Sequence, residues 1–135
     1  MTTRRYLLDT NMLSDVVRQP GGNAARRCIE LGETLICTSI IAACELRFGA
    51  RKRGNAALTR RIEQLLNSID ILSLGAPADH AYAEARMYLE KAGTPISHAD
   101  LLLAAHAISV GCTLVTDNIR EFQRVPKLRI ENWLR

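Results

Sequence analysis

The chain has 135 residues, 47% hydrophobic and 24% charged, with a formal net charge of +4 and a pI near 9.1. That length supplies a single domain over 1–135 with a real core, and is too short for two. The apolar runs are far below the span of a bilayer and no apolar h-region precedes a cleavage site near the N-terminus, so a cytoplasmic protein is expected. The positive balance favours a polyanionic or acidic partner, with RNA, DNA and an acidic protein all open.

Arg5 to Leu8 reads as a short buried strand handing over at Asp9 to a helix that carries Met12, Leu13, Val16 and Val17 at helical spacing. Gln19-Pro20-Gly21-Gly22 breaks that helix, and a second runs from about Asn23 to Leu31. Leu35 to Thr38 is the next strand, with Ser39 placed to cap a helix from Ile40 to about Ala50 that contains Glu45. Arg51-Lys52-Arg53-Gly54-Asn55 is expected to interrupt it before a helix over Ala57 to Ser68, whose inner face is Leu58, Ile62, Leu65 and Leu66. Ile69 to Leu74 is a weaker strand, and Pro77 opens a long helix to about Ala92 with Asp79 near its N-terminus.

After Gly93-Thr94-Pro95, a helix from Ser97 to Val110 is apolar on every side, which marks it as buried, and Gly111 stops it. Asp100 lies in its first turn, where Ser97 and Asp100 fit a capping box and the helix dipole favours the charge. Thr113 to Thr116 is a strand, Asp117-Asn118 leads into a short helix around Ile119 to Phe122, and Leu128 to Ile130 closes as a last strand. Short apolar strands alternating with helices predict an α/β domain with a mostly parallel central sheet of four to five strands flanked by helices. In such sheets ligands collect outside the carboxyl ends of the strands.

Asp9, Glu45, Asp100 and Asp117 are expected at that edge. Each has an ordinary structural explanation: Asp9 and Asn118 as helix caps, the latter with Glu121 three residues on, and Glu45 as a border residue of an apolar stripe. Converging carboxylates repel unless a cation compensates them, and a hard divalent ion, Mg²⁺ or Mn²⁺, prefers that all-oxygen ligation together with phosphate oxygens. Phosphodiester hydrolysis is then the leading chemistry. No P-loop, EF-hand, zinc-deaminase or nucleophile-elbow motif competes, and His80, His98 and His106 lack ligand spacing and read as surface or satisfied core residues. Cys28, Cys37, Cys44 and Cys112 form no C-x-x-C pair and are expected as reduced, mostly buried thiols. A phosphotransferase reading of Asp9 lacks a clear lysine and a second aspartate at Asn11, and a nonenzymatic RNA- or protein-binding module stays open as the other rival.

Four stretches in this order resemble the PIN-domain ribonucleases, specifically the VapC-type toxins of type II toxin-antitoxin pairs: Leu7-Leu8-Asp9-Thr10-Asn11, Ser39 through Glu45-Leu46-Arg47-Phe48-Gly49-Ala50, Pro95 through Asp100 to His106, and Leu114-Val115-Thr116-Asp117-Asn118 with Arg120-Glu121-Phe122. The resemblance covers nearly the whole chain. It implies a PIN-like fold in which Asp9, Glu45 and Asp100 bind one or two Mg²⁺ or Mn²⁺ ions, with Asn11, Ser39 and Thr116 supporting them. Many such proteins carry a fourth acid two residues after the threonine, where this chain has Asn118; either Asp117 swings in, or Asn118 contributes a neutral oxygen or a water-mediated contact. The same resemblance implies an endoribonuclease leaving 5′-phosphate and 3′-hydroxyl ends on a tRNA cut in its anticodon loop, the initiator tRNA by analogy with the enterobacterial-type branch. It also implies a homodimer neutralised by an acidic VapB-type antitoxin; the helices over Met12 to Leu31 and after Arg53, whose apolar faces exceed what a thin sheet can cover, are the expected contact surfaces. Arg47, Arg51, Lys52 and Arg53 are candidates for the RNA track, and a solvated helix end explains them equally well.

Overall fold

A computed structural model describes residues 4–134. Five strands, β1 (Tyr6–Leu8), β2 (Ile36–Ser39), β3 (Asp70–Leu72), β4 (Thr113–Val115) and β5 (Ile130–Glu131), form one sheet in the order β3-β2-β1-β4-β5. Every neighbouring pair is parallel. Seven helices connect them: α1 (Thr10–Arg18), α2 (Asn23–Leu31), α3 (Ile40–Arg53), α4 (Ala56–Ser68), α5 (Ala78–Ala92), α6 (His98–Val110) and α7 (Ile119–Phe122). This is the α/β arrangement with a parallel central sheet that the alternation of short apolar runs and helical periods predicts.

The pleat sends successive side chains to opposite faces, so each central strand feeds two cores. Leu8, Ile36 and Val115 pack with α1, α3, α4 and Trp133 on one face. Leu7, Cys37 and Leu114 pack with α5, α6 and Phe122 on the other. Because Leu8 aligns with both Thr38 and Val115, the residues that follow, Asp9, Ser39 and Thr116, emerge together at one edge of the sheet. That register places the site.

Several boundaries differ from the sequence reading. α3 does not stop at Ala50 but continues to Arg53, because Gly54 adopts φ 66 and its N–H closes on the Ala50 carbonyl as a left-handed cap. Arg51, Lys52 and Arg53 thus sit in the last turn, where the helix dipole favours positive charge. A 3-10 turn over Glu33–Leu35 delays β2 to Ile36, and β5 falls at Ile130–Glu131, where its partners on β4 are Leu114 and Val115. Pro77 precedes α5 as its cap residue and does not stand inside the first turn. No helix among the described residues is long and apolar enough to cross a membrane.

Candidate active site

Asp9 follows β1 directly and is buried, 7% exposed, because its carboxylate caps α1: Oδ1 accepts from the Met12 N–H at 2.9 Å. Glu45 stands one turn and a half into α3, exposed, and accepts a 3.2 Å hydrogen bond from the Thr10 hydroxyl through Oε2. Asp100 occupies the first turn of α6, whose cap is Ser97; the Ser97 hydroxyl oxygen accepts from the Asp100 N–H at 3.3 Å. These three acids, carried by or capping three different helices, line one hollow of ≈ 180 Å³ together with Thr10, Asn11 and Asn118.

Asp117 does not line it. Its carboxylate is exposed and Oδ1 accepts from Asn132 Nδ2 at 2.8 Å, although its charge still reaches Asp9. Asn118 faces the hollow and donates through Nδ2 to Glu121 Oε2 at 3.1 Å, in place of the helix cap that its position suggested. Glu121 in turn stands close enough to Asp100 to help raise its carboxyl. The residue that sequence reasoning missed is therefore Glu121, treated only as the partner of a cap. One signal was available: in a helix as short as α7, an acid in the first turn points back toward the residues that precede it.

The electrostatics of this group are those of acids without a counter-ion. Burial raises the Asp9 carboxyl above the ordinary range, against hydrogen bonds from Thr116 and the Met12 N–H; Asp117 and Glu45 add repulsion. Asp100 is pushed up to about 6, first by burial and then by Glu121, with Ser97 opposing. Among the described residues no salt bridge reaches Asp9, Glu45, Asp100 or Glu121. Nor does any group of three acids, histidines or cysteines stand assembled to hold an ion among those residues. The donors are nonetheless carboxylates and an amide, the oxygen chemistry that suits a hard divalent cation. The raised carboxyls of Asp9 and Asp100 reflect burial first and the neighbouring acids second, and a bound cation would oppose both effects.

Two fully buried hydroxyls support this edge. Thr116 accepts from the Asn118 N–H at 3.0 Å and so shapes the turn below the hollow. Ser39 caps α3 by accepting from the Ile41 N–H at 3.0 Å, and its hydroxyl lies 2.7 Å from His106 Nδ1. His106 is a core residue with no exposure; burial holds its imidazole below the usual range and favours the neutral ring, which shares a hydrogen bond with Ser39 through Nδ1. That bond ties α3, the carrier of Glu45, to α6, the carrier of Asp100.

The basic residues divide. Arg47 is paired with Glu63 of α4. Arg51, Lys52 and Arg53 are exposed, and Arg53 joins Arg18 in a second hollow that shares Thr10, Asn11 and Glu45 with the acidic one. The largest hollow, ≈ 840 Å³, lies at the opposite end of the sheet between Arg5, Cys112 and Arg129, so size does not select the acidic site.

The chain matches the PIN domain family over residues 6–128. It is 34% identical to ribonuclease VapC2 of Rickettsia felis across 95% of this chain and 97% of that one. It is 32% identical to the tRNA(fMet)-specific endonuclease VapC of Salmonella typhimurium across 96% and 98%. Its structure is similar to that of VapBC2 from Rickettsia felis bound to a DNA fragment from its promoter, with a TM-score of 0.87, 34% identity, and 95% and 98% of the two chains covered.

Proposed function

The chain belongs to the PIN-domain family, and from that premise we propose that it is a VapC-type toxin: a Mg²⁺- or Mn²⁺-dependent endoribonuclease neutralised by a VapB-type antitoxin. The observation that carries this reading is the set of four acids, Asp9, Glu45, Asp100 and Glu121, gathered at one sheet edge with no cation paired to them among the described residues. Asp9, Glu45 and Asp100 hold the ion, Glu121 replaces Asp117 as the fourth acid, and Asn118 contributes a neutral partner. Asp117, bonded to Asn132, acts only through its charge.

When bound, the divalent ion supplies positive charge to the phosphate oxygens and a lowered pKa to water at the phosphorus. The protein's own residues do the rest. Asp9 is fixed by its cap, with Oδ1 accepting from the Met12 N–H, and by Thr116 beside it. The Thr10 hydroxyl orients Glu45, and Asp100, pushed up to about 6 by burial and by Glu121, is ionised by neutral pH. Asn11, Ser39, Thr116 and Asn118 keep these groups in place. In-line attack at phosphorus with departure of the 3′ oxygen gives 5′-phosphate and 3′-hydroxyl ends.

The substrate in this reading is a tRNA, the initiator tRNA in its anticodon loop, supported by the name of the Salmonella relative. The positive face and the groove lined by Arg18 and Arg53 suit an RNA backbone, and Arg47, Arg51 and Lys52 extend that face. The assembly in this reading is a homodimer bound by antitoxin, and the VapBC complexes among its structural neighbours support the antitoxin. Incubating the purified chain with total tRNA and sequencing the new ends tests the whole reading. Cleavage should require Mg²⁺ or Mn²⁺, stop with EDTA, and fall to background in Asp100→Asn while the circular dichroism spectrum stays unchanged; metal-dependent cleavage by a folded Asp100→Asn chain overturns it.

A further inference from the structure

Four cysteines are scattered along the sequence, but two of them meet inside the fold. Cys37 on β2 and Cys112, in the turn between α6 and β4, place their sulfurs 3.8 Å apart across β1, beneath the face that packs on α5 and α6. Cys37 is fully buried and lies 3.5 Å from the Tyr6 carbonyl. Cys112 is 6% exposed and forms part of the wall of the large hollow, which among the described residues is also lined by Arg4, Arg5 and Arg129. Arg5 reaches this place from β1. Its guanidinium pairs with Asp70 at 2.7 Å, while its Nε is buried without a hydrogen-bond partner.

We propose that Cys37 and Cys112 are a peroxide-oxidisable dithiol, with Cys112 the thiol that reacts first and Cys37 the one that resolves it. The electrostatics agree with that order. The contact with Cys112 and burial push the Cys37 thiol up, whereas the same contact holds Cys112 below the ordinary thiol range, with the Arg5 charge assisting against burial. The Cys112 thiolate attacks one oxygen of hydrogen peroxide, the O–O bond breaks, and hydroxide leaves and takes up a proton as water; Cys112 is then a sulfenic acid. The Cys37 sulfur, giving up its proton, attacks the Cys112 sulfur; the S–S bond forms, the S–O bond breaks, and a second water leaves. Two thiols have lost one electron each, and one peroxide has been reduced to two waters.

Closure requires the sulfurs to approach from 3.8 Å to about 2.05 Å. With β1 standing between the two thiols, closure also draws the backbone of Cys112 inward, in the turn after the left-handed Gly111 at φ 70 that lines the hollow. The other two thiols are unlike this pair: burial raises Cys28 to about 11, and Cys44 is exposed on α3. The bond would form at the sheet end away from the acids, so the inference does not depend on the nuclease reading.

The test uses the full chain carrying Cys28→Ser and Cys44→Ser, treated with equimolar hydrogen peroxide. Both remaining thiols should disappear together, return on adding dithiothreitol, and yield a nonreduced peptide joining Cys37 to Cys112. In a further Cys37→Ser variant, dimedone should label Cys112, and replacing Arg5 by Gln in the dithiol chain should slow the loss of thiols. Thiols that survive peroxide in the folded chain but vanish in urea overturn the proposal. So does sulfinic acid on Cys112 with Cys37 still reduced, or dimedone labelling of Cys37 in the Cys112→Ser chain. The first arm involves neither cysteine of the pair in a substitution, so a misfolded single variant does not blunt it.

Discussion

A carboxyl held at about 6 in the folded chain, against 3.8 as its ordinary value, is a statement about stability as well as chemistry. Between those two values the folded chain binds more proton than the unfolded one, so the contribution of Asp100 is full below about pH 4 and disappears as pH rises through about 6. Asp9, also raised, acts in the same sense, whereas His106, lowered by burial, acts in the opposite one. The difference between two chains isolates the first term: in EDTA, the melting temperature of the parent should fall relative to Asp100→Asn between about pH 4 and 6, and saturating Mg²⁺ should reverse that loss. A constant difference across this window excludes an acid-sharing contact between Asp100 and Glu121. The same contact separates two candidates for the fourth acid. Glu121→Gln should reduce cleavage on the order of 10–100-fold, the range for disturbing the immediate support of a metal. Asp117→Asn, which removes a charge bonded to Asn132 outside the hollow, should change it by no more than a few-fold, as expected of an exposed charge. Equal losses in initial-rate assays would undo that distinction.

At the level of elements, the acids are held by helix starts. Asp9, Ser39 and Ser97 cap α1, α3 and α6, and each cap either is an acid of the site or fixes the helix that carries one. Ser39 has two tasks, since its hydroxyl also serves Nδ1 of a histidine 67 positions away. Ser39→Ala should therefore cost about 1 kcal/mol for the lost cap, and a further ~1–3 kcal/mol for the unsatisfied buried imidazole nitrogen. Chemical denaturation measures the sum; Ser39→Thr, which keeps the hydroxyl, should recover most of it, and a loss below about 0.5 kcal/mol in Ser39→Ala would show the Ser39–His106 bond to be idle. This device explains what was legible in the sequence. Asp9, Ser39 and Asp100 stand beside strand ends and helix starts, and short-range periodicity locates those. The pairing of Ser39 with His106, the contact of Glu121 with Asp100 and the turning of Asp117 to Asn132 are set by where separate elements dock, which no local pattern contains. The extension of α3 past Ala50 is intermediate: Gly54 was in view, but the three basic residues before it looked like a break when they are a favourable last turn.

Taken as a whole, the molecule pairs a net charge of +4 with a strongly acidic hollow, and the two must cooperate if RNA is to approach. A phosphate backbone is repelled by four carboxylates until a divalent ion is bound, so long-range attraction has to come from elsewhere on the surface. The basic residues are not equivalent in this respect. Arg47 is already paired with Glu63, so although its removal lowers the net charge by one as any arginine's would, its guanidinium is committed and not free to contact a phosphate. Arg53 and Arg18 are exposed at the groove that continues from Thr10, Asn11 and Glu45, where a strand leaving the acidic hollow would run. Counterion release then gives a quantitative expectation: each phosphate contact contributes about 0.7–0.9 to the slope of log K against log salt concentration. Binding of a noncleaved RNA to the Asp100→Asn chain with Ca²⁺ present, followed by fluorescence anisotropy from low to moderate salt, should show the slope reduced by about one in Arg53→Ala and in Arg18→Ala, and by about two in the double variant. Arg47→Ala should leave the slope within error and lower thermal stability instead. If Arg47 carries the slope and Arg53 does not, the RNA leaves the acids along the α4 side, and the groove beside α1 is free for the antitoxin alone.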